Sequence, residues 1–272
     1  MNVKKPQILL SNDDGILSPG LWAAAAALSP LGYVTVAAPR EQHSGAGRSV
    51  PAWSDGEIKP TILKIGDQEW ECYAVGGSPA QAVQVGAMVI LPELPDLVVS
   101  GINYGENPGT DVSLSGTVGA ALEGASYGIP SLAVSLQLLS DDYYGYSSKV
   151  DFSPAASFTH KFARLLLEGN LPPDVHVLNV NVPASATPDT PWRLTHLSKY
   201  AYFEPFVKPA EDGKPRRVSA KIVIHDDELT DPACDVTAFH HDKVVSVTPL
   251  SLNMTSRVNL ADFEGQLRSE EE

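Results

Sequence analysis

Two adjacent carboxylates, Asp13 and Asp14, directly follow a short apolar run in the segment ILLSNDDGI at residues 8–16. Two like charges at one place repel each other, so either their pKa values rise or a cation neutralises them. Oxygen ligands of this kind favour hard cations such as Mg²⁺ or Mn²⁺. The alternative is that the pair belongs to a turn that begins a helix, without any metal.

Two later loops carry hydroxyl and amide groups, whose oxygens can bind the same kind of hard cation. The loop after YVTVAAP holds His43 and Ser44, and the loop after DLVVS holds Asn103 and then Ser-Gly-Thr at 115–117. The triplet precedes a predicted helix, and the free N–H groups at a helix N-terminus bind phosphate. A cation beside a phosphate seat indicates phosphoryl hydrolysis, with His43 as a candidate acid or substrate contact. Taken singly, the triplet is also typical of a helix cap and Asn103 of a turn.

These residues need a scaffold that brings three loops together, and the chain predicts one. Apolar runs that favour strands alternate with runs that favour helices, which predicts an α/β fold with a mostly parallel sheet and helices on both faces. Ligands of such sheets gather outside the carboxyl ends of the strands, so the three loops should meet at one edge. The predicted strands are 7–11, 33–39, 96–101, 129–136 and 175–183, and the predicted helices are 20–32, 116–128 and 157–169.

The last third of the chain has a different pattern. Apolar and polar residues alternate with a period of two, which predicts half-exposed antiparallel strands or hairpins. We therefore expect a Rossmann-like catalytic core over 1–190 and a hairpin-rich C-terminal extension over 191–272, with a polar turn or loop at 207–217. On a strand, His240 and His241 would face opposite ways and not share a metal. The pairs 141–142 and 226–227 are expected to be solvated aspartates.

Composition narrows the class of protein. The 272 residues carry a formal charge of −14, which repels polyanions and argues against a protein that coats nucleic acid. No apolar stretch is long enough for a membrane helix or a secretory leader, so a cytoplasmic protein without membrane contact is expected. Cys72 and Cys234 are too few for a disulfide framework or a thiolate zinc site, although one bridge stays open. The fingerprints of dinucleotide and Walker-type ATP sites are absent from the sequence.

Six segments together resemble the SurE family, the survival-protein-E 5′/3′-nucleotidases. They are ILLSNDDGI, APREQHSGAGRS, VGGSPAQAV, VSGINYGENPGTDVSLSGTVGAALEG, LNVNVP and VSVTPL, in the family's order. The resemblance implies a metal-dependent phosphatase of nucleoside monophosphates on a Rossmann-like three-layer core, assembled as a homodimer or homotetramer that exchanges C-terminal segments. It implies one divalent ion per subunit, Mg²⁺ or Mn²⁺, held by Asp13, Asp14, Ser44 and Asn103. The phosphate-side residues that it implies are Asn107, Ser115, Gly116 and Thr117.

Several residues depart from the family pattern without removing a proposed ligand. They bear on substrate preference, because loop residues of this kind shape the pocket for base and sugar; they are Arg40, Ser78, Gln81, Ala82 and Leu114. Two alternatives to a nucleotidase stay open, a broader phosphomonoesterase that also takes short polyphosphate and a nucleotide-binding module without catalysis. Within the enzyme, Asp13 and Asp14 are the candidate catalytic residues, either through direct attack of water or through an aspartyl-phosphate.

Overall fold

The computed structural model describes residues 5–138, 150–169, 171–210 and 216–269. The strands are β1 (Gln7–Ser11), β2 (Tyr33–Pro39), β3 (Ile58–Ile65), β4 (Gln68–Val75), β5 (Leu97–Tyr104), β6 (Ser131–Leu136), β7 (Val177–Val182), β8 (Trp192–Leu194), β9 (Phe203–Lys208), β10 (Arg217–Ile222) and β11 (Val245–Leu250). The α-helices are α1 (Pro19–Leu28), α2 (Pro79–Val85), α3 (Gly116–Ser126), α4 (Ser153–Glu168) and α5 (Leu260–Ser269).

Within the described residues, nine strands form one sheet in the order β3-β4-β2-β1-β5-β6-β7-β11-β8. The central run from β4 to β7 is parallel, and antiparallel pairs join β3 to β4 and β11 to β7. This confirms the predicted α/β fold with a mostly parallel sheet. The strand order reverses beside β1, whose neighbours are β2 and β5, and such a switch point opens a ligand crevice at the carboxyl ends of the strands.

The helices cover both faces of the sheet, as the alternating pattern predicts. Leu21 and Trp22 of α1 join Phe158 and Phe162 of α4 in the largest apolar cluster, against one face. Helices α2 and α3 pack together against the other face, where Val83 and Ala120 contact the sheet. Because the strands between these layers are apolar on both sides, the core holds the loops at their ends in fixed positions.

Several predicted boundaries differ from the observed ones: the helices predicted over 20–32 and 157–169 are Pro19–Leu28 and Ser153–Glu168, and the strands predicted over 129–136 and 175–183 are Ser131–Leu136 and Val177–Val182. The boundary that matters for the site is the end of β5. The strand predicted over 96–101 runs on to Tyr104, so Asn103 lies in β5 and not in a following loop. The pairing of β5 with β6 shifts register between Ser100 and Asn103. Gly101 permits the bulge, because its φ is +132° and a Cβ there would lie 2.4 Å from the carbonyl oxygen of Val134.

The chain beyond residue 190 contributes to two sheets. Strands β8 and β11 extend the main sheet, while β9 and β10 form a separate antiparallel hairpin whose residues are mostly exposed. The division into 1–190 and 191–272 stays a prediction. His240 and His241 end a π-helical turn over 237–241, so their predicted strand is wrong. The pair 141–142 lies outside the described residues, and both cysteines are free and buried.

Candidate active site

The two aspartates sit in a tight turn that the preceding asparagine makes. The amide nitrogen of Asn12 donates to the carbonyl oxygen of Gly15, and the N–H of Gly15 donates back to Asn12 Oδ1, both at 3.1 Å. This turn places Asp13 and Asp14 at the carboxyl end of β1, beside the switch point. Their exposed fractions are only 6 % and 3 %. The sequence therefore places two acidic side chains where water is largely excluded.

Each carboxylate is oriented by donors from other segments. Asp13 Oδ1 accepts from the hydroxyl of Thr117 at 2.5 Å, and Asp14 accepts from the N–H of Tyr104 at 3.1 Å and from Gln42 Nε2 at 3.2 Å. Burial nevertheless raises the pKa of both carboxyls, and the charge of Asp13 raises the pKa of Asp14 further. Such a pair is stabilised either by a proton or by a cation.

The loop that carries Ser44 is tied to both other loops of the site. The N–H of His43 donates to the carbonyl oxygen of Asp13 at 2.7 Å, and the N–H of Gly47 donates to that of Leu114 at 2.9 Å. Arg48 Nε then donates to Glu123 Oε2 at 2.7 Å. Ser44 lies between these anchors, next to a residue that hydrogen-bonds the aspartate turn.

Glu123 is a buried acid that the sequence analysis missed. Its carboxylate accepts from Arg48, from Gln84 of α2 at 3.0 Å and from the hydroxyl of Tyr127 at 2.6 Å. Burial would raise the pKa of Glu123, but these three hydrogen bonds and the Arg48 charge hold that pKa below its usual value. Glu123 therefore fastens the loop of Ser44 to helices α2 and α3. The sequence signal that could identify it is a lone Glu in a helix otherwise made of small and apolar residues.

Asn103 reaches the same edge from β5. Its amide nitrogen donates to the carbonyl oxygen of Gly105 at 2.7 Å, so its side-chain oxygen is the atom that can face a cation. The next residue, Tyr104, gives its N–H to Asp14. Two of the predicted ligands are the aspartates themselves. The other two, Ser44 and Asn103, are next in sequence to His43 and Tyr104, whose N–H groups donate to the aspartates.

The donor set fits a hard divalent cation. It offers two buried carboxylates, a hydroxyl and an amide oxygen, which is the chemistry that Mg²⁺ and Mn²⁺ prefer. In the part of the chain that the structure describes, no group of three or more His, Cys, Asp or Glu side chains could hold a metal. The four predicted ligands are not a group of that type, because only two of them are acids and the other two are a serine and an asparagine. The ligand assignment of Asp13, Asp14, Ser44 and Asn103 stays a prediction.

The start of α3 contacts the aspartate pair directly. Ser115 Oγ accepts from the N–H of Val118, so this side chain caps the helix. The Thr117 hydroxyl binds Asp13, and the backbone N–H groups of Gly116 and Thr117 lower the pKa of Asp13. A Cβ at Gly116 would lie 2.7 Å from the Cβ of Asp13, so only glycine allows this approach. The predicted phosphate-binding site at the start of α3 is therefore adjacent to the aspartates of the predicted metal site.

Asn107 is held by polar side chains of the sheet. Its N–H donates to Asn181 Oδ1 and its amide nitrogen to Ser135 Oγ, both at 2.8 Å, while its carbonyl oxygen accepts from Asn179 and Asn181. The sequence analysis found the segment LNVNVP but assigned no role to its asparagines. Buried asparagines that alternate with valines in a strand indicate that one face of the strand hydrogen-bonds another segment, here the chain at Asn107.

A cavity of about 470 Å³ is linked to the aspartate turn through His43, which lines the cavity and donates its N–H to the carbonyl oxygen of Asp13; neither aspartate lines it. His43 lines it together with Arg40, Val50, Trp53, Ser78 and other residues of the segments 49–55 and 75–78. The sequence analysis proposed His43 as a substrate contact, and the structure places that side chain, which is half-buried, on the cavity wall. The segment 49–55 was not predicted to belong to the site.

Comparison with known proteins decides the family. The family model described as survival protein SurE matches residues 8–204. The chain belongs to the SurE family. A SurE relative from Methanosarcina acetivorans, described as a 5′-nucleotidase, is 39 % identical over 271 residues, covering 96 % of this chain and 98 % of the relative. Another, from Thermococcus gammatolerans and described in the same words, is 41 % identical over 262 residues, covering 95 % of this chain and 93 % of the relative.

A solved SurE structure agrees with the fold. The crystal structure of the SurE protein from Aquifex aeolicus superimposes with a TM-score of 0.73 at 34 % sequence identity, covering 98 % of this chain and 100 % of that one. The similarity therefore extends through the C-terminal part, which the matched SurE segment at 8–204 leaves largely outside. No described helix of this SurE chain combines the length and apolar character that a membrane crossing needs.

Proposed function

We propose that the chain hydrolyses nucleoside 5′-monophosphates to a nucleoside and orthophosphate with one divalent ion, Mg²⁺ or Mn²⁺, per subunit. The observation that carries this proposal is the buried pair Asp13 and Asp14 facing the N-terminus of α3. Relatives that match over almost the whole chain are described as 5′-nucleotidases, which supports the same activity here.

In this proposal, Asp13, Asp14, Ser44 and Asn103 hold the ion. When bound, such an ion polarises a phosphoryl oxygen and stabilises the charge that develops on it. The partial positive charge at the start of α3 favours an anion there. Its N–H groups at Gly116 and Thr117 also bind Asp13, so a phosphoryl group at this place would share them with that carboxylate. The Thr117 hydroxyl donates to Asp13 Oδ1 and so fixes the orientation of that carboxylate toward a ligand.

The aspartates also explain how a proton is handled. In direct attack, a water oxygen bonds to phosphorus, the bond to the nucleoside oxygen breaks, and the water gives its proton to one carboxylate. The leaving nucleoside oxygen takes up a proton, from that carboxyl or from solvent, and the carboxylate is restored. In the alternative, the carboxylate of Asp13 or Asp14 itself attacks and an aspartyl-phosphate is then hydrolysed. Quenching the reaction in acid with labelled substrate separates the two routes, because only the second leaves phosphate on the protein. We propose direct attack as the route.

The test is release of inorganic phosphate from AMP with Mg²⁺, Mn²⁺ or Co²⁺. We expect activity that EDTA abolishes and that added metal restores, and almost none in Asp14→Asn. The matched control is Asp67→Asn at the exposed turn between β3 and β4, which should retain full activity. Calorimetric titration with Mn²⁺ gives a readout without turnover, and it should show binding to the wild type and loss in Asp14→Asn. Full activity in the EDTA-treated protein would overturn the metal assignment.

A substrate panel separates the remaining functions. Hydrolysis of 3′-AMP, p-nitrophenyl phosphate and tripolyphosphate at rates equal to that of 5′-AMP would instead establish a broad phosphomonoesterase. Binding of AMP without phosphate release would establish a non-catalytic nucleotide module. The cytoplasmic location stays a prediction, and fractionation of cells with an antibody to the chain tests it.

We also propose a homodimer or homotetramer joined through the C-terminal part. Every described residue of α5 is exposed, including Leu260, Phe263 and Leu267. The β9–β10 hairpin likewise exposes Val207 and Val218. Apolar surface of this kind is typical of an interface. Light scattering should give a mass above 29.0 kDa for the full chain and a smaller assembly for a chain ending at residue 256.

A further inference from the structure

The cavity beside the aspartate turn contains an aromatic surface that the proposed chemistry does not use. Trp53 lines this cavity with 88 % of its surface exposed, and Val50 on the same segment is also exposed. An indole left in water forgoes the free energy that burial would provide. Within the described residues, no other tryptophan lines the cavity.

The segment that carries Trp53 is fixed on both sides of the indole. Gln81 of α2 donates to the carbonyl oxygen of Pro51 at 3.0 Å and accepts from the hydroxyl of Ser54 at 2.7 Å. The hydroxyl of Ser78 donates to the carbonyl oxygen of Ser49. Because these hydrogen bonds hold the neighbouring backbone, Trp53 is presented outward on an anchored segment. A surface that is already ordered binds a flat ligand at a low entropic cost.

The charges of the cavity argue against a second phosphate group. Among the described residues that line it, Arg40 is the only Arg or Lys side chain. The Arg40 guanidinium is already paired with Asp55 and Glu57, each at 2.8 Å. Glu41 and Asp55 also line the cavity, so its wall carries no net positive charge to attract an anion.

His43 is the residue that connects the cavity to the aspartate turn. His43 lines the cavity, and the N–H of His43 donates to the carbonyl oxygen of Asp13 at 2.7 Å. The volume of about 470 Å³ is within the range of small-molecule pockets, roughly 300–1,000 Å³. A ligand that reaches from the aspartates into this cavity would have an anionic end and a neutral, flat end.

We propose that this cavity binds the nucleobase of the substrate, which stacks on the indole of Trp53. The proposal rests on the proposed function, because it assigns the neutral end of the same substrate. Stacking of a base on an aromatic side chain requires only a π-face, so Trp53 gives affinity for purines and pyrimidines alike. Polyphosphate chains, which carry no base, gain nothing from this surface.

The experiment compares Trp53→Ala and Trp53→Phe with the wild type, and Trp192→Ala serves as the control. Trp192 is 41 % exposed on β8 and does not line the cavity. Equilibrium dialysis of adenosine against the metal-free protein measures the pocket without catalysis. We expect Trp53→Ala to weaken adenosine binding about 5- to 100-fold, since loss of base stacking has effects of this size. Trp53→Phe should recover most of the affinity, and Trp192→Ala should bind as the wild type does.

Kinetics with two substrates complete the test. Trp53→Ala should lower kcat/KM for AMP by a similar factor through KM and leave the hydrolysis of tripolyphosphate, which has no ring to stack, within twofold. Unchanged adenosine binding in Trp53→Ala would overturn the assignment, and so would an equal loss of kcat/KM on both substrates. A change in the oligomeric mass of Trp53→Ala with an unchanged KM would also overturn it. Absence of phosphate release from every substrate refutes the proposed hydrolysis instead, and Trp53-dependent adenosine binding would then still establish the pocket.

Discussion

Gly119 lies in the middle of α3, where helix propensity alone favours alanine. Replacing glycine by alanine in an exposed helix stabilises a protein by roughly 0.8–1 kcal/mol. Here, however, a Cβ would lie 2.2 Å from the carbonyl oxygen of Gly47 and 2.6 Å from the N–H nitrogen of Arg48. Ordinary contacts begin at 3.4 Å, so the loop that holds Ser44 must move away from α3 by about 1 Å.

The expected result of Gly119→Ala is therefore a loss of stability. Overpacking of this kind typically costs about 1–3 kcal/mol, which exceeds or cancels the propensity gain. At roughly 2–4 °C per kcal/mol for a chain of this size, the melting temperature should fall by a few degrees. The displaced loop should also weaken Mn²⁺ binding, and a misplacement of about 1 Å near a reacting centre can lower kcat/KM by about 100-fold.

The matched control is Gly265→Ala in α5. That glycine is also helical, but nothing lies within 4 Å of an added Cβ. Helical spacing places it on the side of α5 away from Leu260, Phe263 and Leu267, so its replacement should leave oligomeric mass, stability and activity unchanged or slightly raised. Thermal unfolding followed by circular dichroism and calorimetric titration with Mn²⁺ measure the two consequences. A Gly119→Ala protein that melts higher and binds Mn²⁺ as the wild type does would refute the close packing of α3 against this loop.

Three further variants probe the surroundings of the aspartates. Asp14→Asn removes a buried carboxyl whose pKa is raised to about 8 by burial and by the charge of Asp13, so folding no longer has to protonate it at neutral pH and the metal-free protein should melt a few degrees higher. The Mn²⁺-induced rise in melting temperature should disappear, and a lower melting temperature without metal would contradict this cost of burial. Arg48→Met removes a charged hydrogen bond to Glu123, so we expect the free energy of urea unfolding to fall by about 1–2 kcal/mol. The apparent Kd for Mn²⁺ should also rise, and an unchanged Kd would show that this hydrogen bond does not position Ser44 for metal binding. Thr117→Val keeps the volume but removes the hydroxyl bound to Asp13, so kcat with AMP should fall while the cavity still binds adenosine at wild-type affinity.

The sequence predicts the core of the fold because its strands are buried on both faces. Runs such as 7–11 and 33–39 are mostly apolar, and helix α1 between them begins at Pro19 and is followed by Pro30 and Gly32. The hairpin of β3 and β4 was not predicted, because its residues are half-exposed and its polar positions resemble a loop. Helix α5 was missed for a related reason: the described residues around it bury none of its apolar side chains.

The sequence predicts those site residues whose chemistry follows from residue type and neighbours. It does not predict hydrogen bonds between residues that are far apart in the chain. Adjacent aspartates at a strand end identify a costly charge pair from sequence alone. That the Thr117 hydroxyl binds Asp13 depends on a contact between residues 104 positions apart, which no local pattern contains. The same holds for Arg48 and Glu123, which are 75 positions apart.

The chain between Asn107 and Asp111 connects the site to the C-terminal part of the molecule. Gly109 gives its N–H to Asp235, and the carboxylate of Asp111 accepts from the N–H groups of residues 202 and 203. Ser115 follows four residues later at the start of α3. This short segment hydrogen-bonds both the sheet and the C-terminal chain, so a displacement of the strands beyond residue 200 would pull on the segment that leads to the helix N-terminus beside Asp13. An oligomer formed through the C-terminal part would therefore fix the geometry at the aspartates, which predicts that the chain ending at residue 256 loses kcat as well as mass.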